Sequence, residues 1–229
     1  MDVHAPHEPI HGVKDFLLHL LTISVGLLIA VGIEGMVELH REHKLVNEAR
    51  ATLREEIEDN SKVMEGAVEN LKTQKNVMKQ NMRILTRIQV NPKDQDKDGA
   101  NIDADFSNKS LKETAWKTAQ TTGALGFMPY VEAQKYAEIY QAQDAFLASQ
   151  DKIVEDEAQL FGVIAKTNFG HGAATREQAN LMMERFGVWQ GHLLYLDLMA
   201  KLTSLSDKAF LEGKEGPKSL SEDIGDGGK

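Results

Sequence analysis

The sharpest chemical signal in the sequence is Asp94-Gln95-Asp96-Lys97-Asp98-Gly99. Carboxylates spaced two residues apart converge on one hard cation, and a glycine after the third permits the sharp turn of a calcium loop. Continuing that pattern, the carbonyl of Ala100 is the next ligand and Asp105 the closing one. Two departures count against it. Asn101 stands where an apolar residue belongs, with Ile102 one place late, and Asp105 is shorter than the usual bidentate Glu. Asp and Gly are also good turn formers, so the alternative is a solvated acidic loop. Two readings stay open: a solvated acidic loop, or calcium held through Asp94, Asp96, Asp98, Ala100 and Asp105 at a structural or weak site; no other cofactor is assigned.

Histidines offer a second chemistry, because neutral imidazoles ligate transition metals or haem. His4, His7 and His11 precede the apolar stretch described below, and His40 and His43 follow it. Pro6 and Pro9 oppose placing the first three on one helix, and the bilayer separates the two groups. Interfacial histidines without a ligand are the expectation. His171, between Gly170 and Gly172, reads as a loop residue. Trp116, Tyr130, Tyr136, Tyr140 and Trp189 could line a pocket, but aromatics at helical spacing read first as core. Thr114, Thr118, Thr121 and Thr122 read as a small-residue packing face. No Ser, His and acid grouping, phosphate-cradling glycine motif or metalloprotease helix is visible, so no catalytic residue is assigned.

The elements that must position these groups are helical. Ala, Leu, Glu, Lys, Gln and Met are abundant, aromatics make up 6% and there are 5 prolines, a balance that favours helix over sheet. Hydrophobic residues at 41% and charged residues at 27% suit a folded chain. The formal charge of -9 argues against nucleic acid, since phosphate binding needs a concentrated basic surface. The absence of cysteine excludes disulfides, thiolate metal sites and cysteine nucleophiles.

Phe16 to Val37 reads FLLHLLTISVGLLIAVGIEGMV. At about 1.5 Å per residue it covers roughly 33 Å, enough for a hydrocarbon core of about 30 Å. A cleaved signal peptide is the rival, but the segment is long for an h-region and only Lys14 precedes it. His19 and Glu34 lie near its ends; His19 reads as reaching the headgroups, and Glu34 stays open between that and a functional group within the span. Thr22, Gly26 and Ala30 recur every four residues, a face that lets another helix approach closely. Lys14 stands before the span and Arg41, Lys44, Arg50 and Arg54 after it, so the basic-residue count puts the C-terminal domain in the cytoplasm, with the periplasm as the alternative.

Beyond the span, Val46, Ala49, Leu53, Ile57, Met64, Ala67, Leu71, Met78, Met82 and Leu85 keep a three-and-four spacing. That predicts one amphipathic helix continuing from the membrane until Pro92, with Asn60 and Gln74 interrupting its seam. Ser110 and Glu113 predict a capping box for a short helix ending near Gly123. A long helix is expected from Tyr130 to about Thr167, and another, boxed by Thr175 and Gln178, to about Leu211. The fold class is all-α: a single N-terminal transmembrane helix continuing into a long helix of an antiparallel helical bundle. The expected organisation is an interfacial segment (1–15), the span (16–37), the bundle (38–211) and a disordered tail (212–229).

Two stretches, HGVKDFLLHLLTISVGLLIAVGIEGMVE running into EARATLREEIEDN, and ETAWKTAQTTGALGFMPYVEAQKYAEIYQAQ, resemble an uncharacterised family of bacterial single-pass membrane proteins with an N-terminal anchor and a helical domain. The resemblance implies a bacterial membrane location and a helical domain, and brings no activity or site residue with it. The functional expectation is a non-enzymatic scaffold or accessory subunit of a larger assembly in the bacterial inner membrane. Its partners are the lipid bilayer and either other membrane-protein subunits or a second copy, held through the transmembrane helix. The alternative is a sensory or ligand-binding bundle, with calcium at the Asp94–Asp105 loop or a small molecule among the aromatics.

Overall fold

The computed structural model describes residues 12–93, 102–167 and 174–217. The described residues hold four α-helices and no strand: α1 Val13–Val90, α2 Thr114–Thr121, α3 Tyr130–Thr167 and α4 Arg176–Leu211, with a 3-10 turn at Ala124–Phe127. The chain divides into two compact units, Met1–Glu48 and Ala49–Lys229.

In the first unit, the N-terminal part of α1 is long and apolar enough to cross a membrane, and none of that stretch is buried by protein. Phe16, Leu17, Leu20, Ile23, Leu27, Ile29 and Ile33 are all at least half exposed and point to every side of the helix. A core helix of a water-soluble domain would have its apolar side covered. The two hydroxyls of the stretch are satisfied within the helix: Thr22 Oγ1 donates to the Leu18 carbonyl (2.9 Å) and Ser24 Oγ to that of Leu20 (2.8 Å). Hydroxyls paired in this way add no unmet polar group to an apolar surrounding.

In the second unit, α1 supplies one apolar stripe, with Leu53, Ile57, Met64, Leu85 and Ile88 almost completely buried. Phe146, Ile153 and Leu160 face it from α3, and Met182, Phe186, Leu193 and Leu196 from α4. Each such side chain contributes about 1.5–3 kcal/mol by leaving water. The bundle is antiparallel through α4. Its partners descend α1 from Gln89–Asn180 through Lys75–Asp197 to Glu65–Lys208. Against α3 they run from Gln159–Arg185 through Asp156–His192 to Gln143–Asp207. Consequently α1 and α3 point the same way, paired at Arg50–Glu132, Glu56–Tyr140 and Asn60–Gln143.

Two helices can run parallel only if the chain between them returns the length of the bundle. Residues 102–113 provide part of that return as an extended strap. Asn81 holds Asp103, Gln150 holds both polar groups of the Lys109 backbone, and Asn60 holds those of Lys112. An extended chain advances about twice as far per residue as a helix, so Asp103 to Lys112 covers the roughly 30 Å between Asn81 and Asn60. Ala104 and Phe106 are buried and Asp103 and Asp105 exposed, the period of two expected of extended backbone.

The strap corrects the expectation for α2. The helix starts at Thr114, not after Ser110, and its N-cap Glu113 makes no side-chain capping bond. Asn60 holds Lys112 in the strap, and the first helical N–H groups are satisfied from another helix. Glu56 Oε2 accepts from Ala115 N (2.8 Å) and Glu56 Oε1 from Trp116 N (3.3 Å). A carboxylate there also meets the positive end of the helix dipole. Gly123, at φ 76°, then ends α2 in the left-handed region. The α4 box forms as expected, with Thr175 and Gln178 capping reciprocally.

Candidate functional site

Most polar side chains on the apolar stripes of a bundle are excluded by the cost of drying them. Here six lie within about a turn of one another along facing stripes, in a buried network made of two bonded groups and one hydroxyl. Asn60 on α1 exchanges two bonds with the Lys112 backbone (2.7 and 2.8 Å) and donates to Gln143 Oε1 on α3 (2.8 Å). Gln143 Nε2 donates onward to Asp207 Oδ1 on α4 (3.0 Å). One turn away, Tyr140 Oη donates to Glu56 Oε1 (2.8 Å), the carboxylate that caps α2. The Trp116 ring stacks on Tyr140 at 4.9 Å, and Thr203 Oγ1 ties α4 to the Ala142 carbonyl (3.0 Å). Burial, reinforced by the bond to Glu56, raises the Tyr140 phenol well above its ordinary value, so it stays a donor.

Asp207 is the group this network leaves uncompensated. It is completely buried, and its Oδ2 has no hydrogen-bond partner among the described residues. Burial pushes its carboxyl up to about 7, against the downward pull of the bond from Gln143. Asp197, ten residues earlier on α4, goes the other way. Burial would raise it, but ammonium groups of Lys201 (2.8 Å) and Lys75 (2.9 Å) outweigh that effect and hold it below the usual carboxylate range. The network can exchange a proton near neutrality at Asp207 and can lock strap, α2, α3 and α4 onto α1.

No family model, no curated protein and no solved structure matches this chain.

The remaining sequence expectations fall in different places. Asp94, Asp96, Asp98 and Ala100 lie outside the described residues, as do His4, His7, His11 and His171. Asp105 is described: its side chain is exposed, and its backbone N–H donates to Asp103 Oδ1 (3.1 Å). Among the described residues no three His, Asp or Glu side chains form a metal-binding group. His43 Nδ1 lies 2.8 Å from the Leu39 carbonyl. Tyr136, Tyr140 and Trp189 are core, whereas Tyr130 is 82% exposed. Thr118, Thr121 and Thr122 are exposed and bond back to carbonyls of their own helix. Thr22, Gly26 and Ala30 are exposed, with open space where a Gly26 Cβ would stand.

Sequence reasoning noticed Asn60 only as a seam interruption and passed over Glu56, Gln143 and Asp207. A signal was present for two of them. Asp207 continues the α4 stripe Leu196, Ala200 and Thr203, and Gln143 continues the α3 stripe Tyr136 and Tyr140. A polar residue on the buried face of a helical pattern implies a partner across the core. A cleft of about 590 Å³ opens between α3 and the end of α4, lined by Val131, Lys135, Ile139, Phe210, Lys214 and Pro217 among others. Its lining includes no member of the buried network.

Proposed function

We propose that this chain is a membrane-anchored helical scaffold or accessory subunit of a larger bacterial membrane assembly, acting by association and not by catalysis. The observation that carries this reading is the apolar stretch of α1, exposed on all sides with its Thr22, Gly26 and Ala30 line open. In a bilayer, lipid covers most of such a helix, and the small-residue line is where another helix approaches most closely. The buried network supports the same reading, since its bonds are used to fix helices to one another. Phe16 to Val37 spans the inner membrane once, with the bundle on the cytoplasmic side. The resemblance carried by the anchor and the tryptophan-containing stretch points the same way.

The test is the native mass and composition of the protein extracted from its own membranes in a mild detergent. The expected result is a particle several times the 25.4 kDa chain, containing other polypeptides or further copies. Gly26→Leu closes the small-residue line and is expected to shrink that particle while leaving the thermal melt of the bundle unchanged. A wild-type protein that runs alone as a monomer removes the reading.

A further inference from the structure

The end of the bundle that carries Tyr130 holds an exposed apolar tip. From Thr118 to Val131 the chain has no charged residue, in a protein where charged residues make up 27%. Phe127 is 50% exposed, Tyr130 82% and Val131 65%. These side chains stand on a firm base. Ala124 and Met128 are buried beneath them. Backbone bonds Gly126 N to Gly123 O (3.0 Å), Met128 N to Leu125 O (3.3 Å) and Glu132 N to Pro129 O (2.9 Å) close successive turns. Gly123, left-handed at φ 76°, sets the turn into that base. An uncharged, hydrogen-bonded segment that displays Phe, Tyr and Val to solvent marks a contact surface.

Chain connectivity says which one. Glu132, in the first turn of α3, holds Arg50 through a two-pronged ion pair at 2.6 and 2.7 Å. Arg50 is the second residue of this unit, and only Glu38 to Glu48 lie between Val37 and that unit. The tip is therefore at the end where the chain arrives from its apolar stretch. We infer that Phe127, Tyr130 and Val131 dock on the lipid surface and insert among the headgroups. This rests on the reading of Phe16 to Val37 as a span. Tyr and Phe suit that boundary, one with a polar tip and both with a large apolar ring. Three side chains fall short of the roughly 800 Å² per partner that a stable protein interface buries. Insertion into lipid has no such threshold, because each side chain contributes by itself.

The chain has no cysteine, so single labels are clean. Full-length protein carrying an environment-sensitive fluorophore at Gly126→Cys, Lys166→Cys or Leu28→Cys is placed in vesicles of phosphatidylethanolamine and phosphatidylglycerol containing doxyl-labelled lipid. Gly126 is exposed with open space around it, and Lys166 is exposed near the far end of α3. The label at position 126 is expected to be quenched about twofold or more relative to that at 166. Adding Phe127→Ser and Tyr130→Ser is expected to abolish the difference with the thermal melt unchanged. If position 28 is quenched and 126 is no more so than 166, the docking inference falls and the anchor stands. If position 28 is also unquenched, the anchor reading falls and the inference with it. A label at 126 that is shielded from aqueous iodide but not quenched by lipid shows a protein partner on the tip, which overturns the inference.

Discussion

At Asp207 two opposing effects can be weighed directly. Burial removes the carboxylate from water, and one hydrogen bond from Gln143 is all that offsets the loss. Asp197 is also buried and also has an oxygen without a partner, yet two ammonium groups reverse the balance there. The folded-state value for Asp207, about 7, lies above the ordinary 3.8. The folded protein therefore holds its proton more tightly than the unfolded chain does. Stability is highest when both states are protonated, falls as pH rises from about 4 towards 7, and is then flat. Near three units of separation correspond to about 4 kcal/mol lost at alkaline pH. Asp207→Asn removes the charge but aims an amide at the site where Oδ2 stood, at a cost of about 1–3 kcal/mol. Urea unfolding should therefore show the variant more stable than wild type by about 2 kcal/mol at pH 8. The difference should shrink or reverse at pH 5. A constant difference at the two pH values would mean that Asp207 does not carry this charge.

At the scale of elements, the network decides where helices begin and which way they run. Read as a coiled-coil seam, α1 invites Leu at position 60, which a sequence argument would count as stabilising. The structure reverses the sign. Asn60→Leu strands the Lys112 N–H and carbonyl and leaves Gln143 Oε1 without its donor. We expect a loss of about 3 kcal/mol in urea unfolding, with faster amide exchange at Lys112 than at buried positions of α4. Unchanged or increased stability would show that the strap does not depend on Asn60. The same contrast explains what was legible in the sequence. The ends of α1, α3 and α4 were, because Pro92, the Thr175–Gln178 box and apolar periodicity act locally. Residues 102–113 and the true start of α2 were not, because their backbone partners are Asn81, Gln150, Asn60 and Glu56, remote in sequence. Ser110 and Glu113 satisfied a local rule that these long-range bonds outweighed. Likewise the same-way run of α1 and α3 follows from the strap, which has no helical or turn signature of its own.

For the whole molecule, the proposed span raises the question of which side of a bilayer would receive the bundle. In the folded unit Arg50 is paired with Glu132, whereas Arg54 is exposed and donates to the neutral Leu211 carbonyl, so only Arg50 has its charge compensated. For the proposed span, orientation would be fixed earlier, while it leaves the ribosome and α3 and α4 do not yet exist as partners. At that stage Arg41, Lys44, Arg50 and Arg54 all count on the C-terminal side and Lys14 alone within reach on the other, and the interleaved acids contribute little. The bundle should therefore face the cytoplasm. With Lys166→Cys as the single thiol in a bacterial host, a membrane-impermeant maleimide should label nothing in intact spheroplasts and label fully after lysis. Arg41→Gln with Lys44→Gln removes the two cations nearest the span, and the fraction labelled before lysis should rise. Full labelling of the wild-type background in intact spheroplasts would put the bundle outside. It would also show that the interleaved Glu38, Glu42 and Glu48 cancel the basic residues, against the usual weighting of the two charge types.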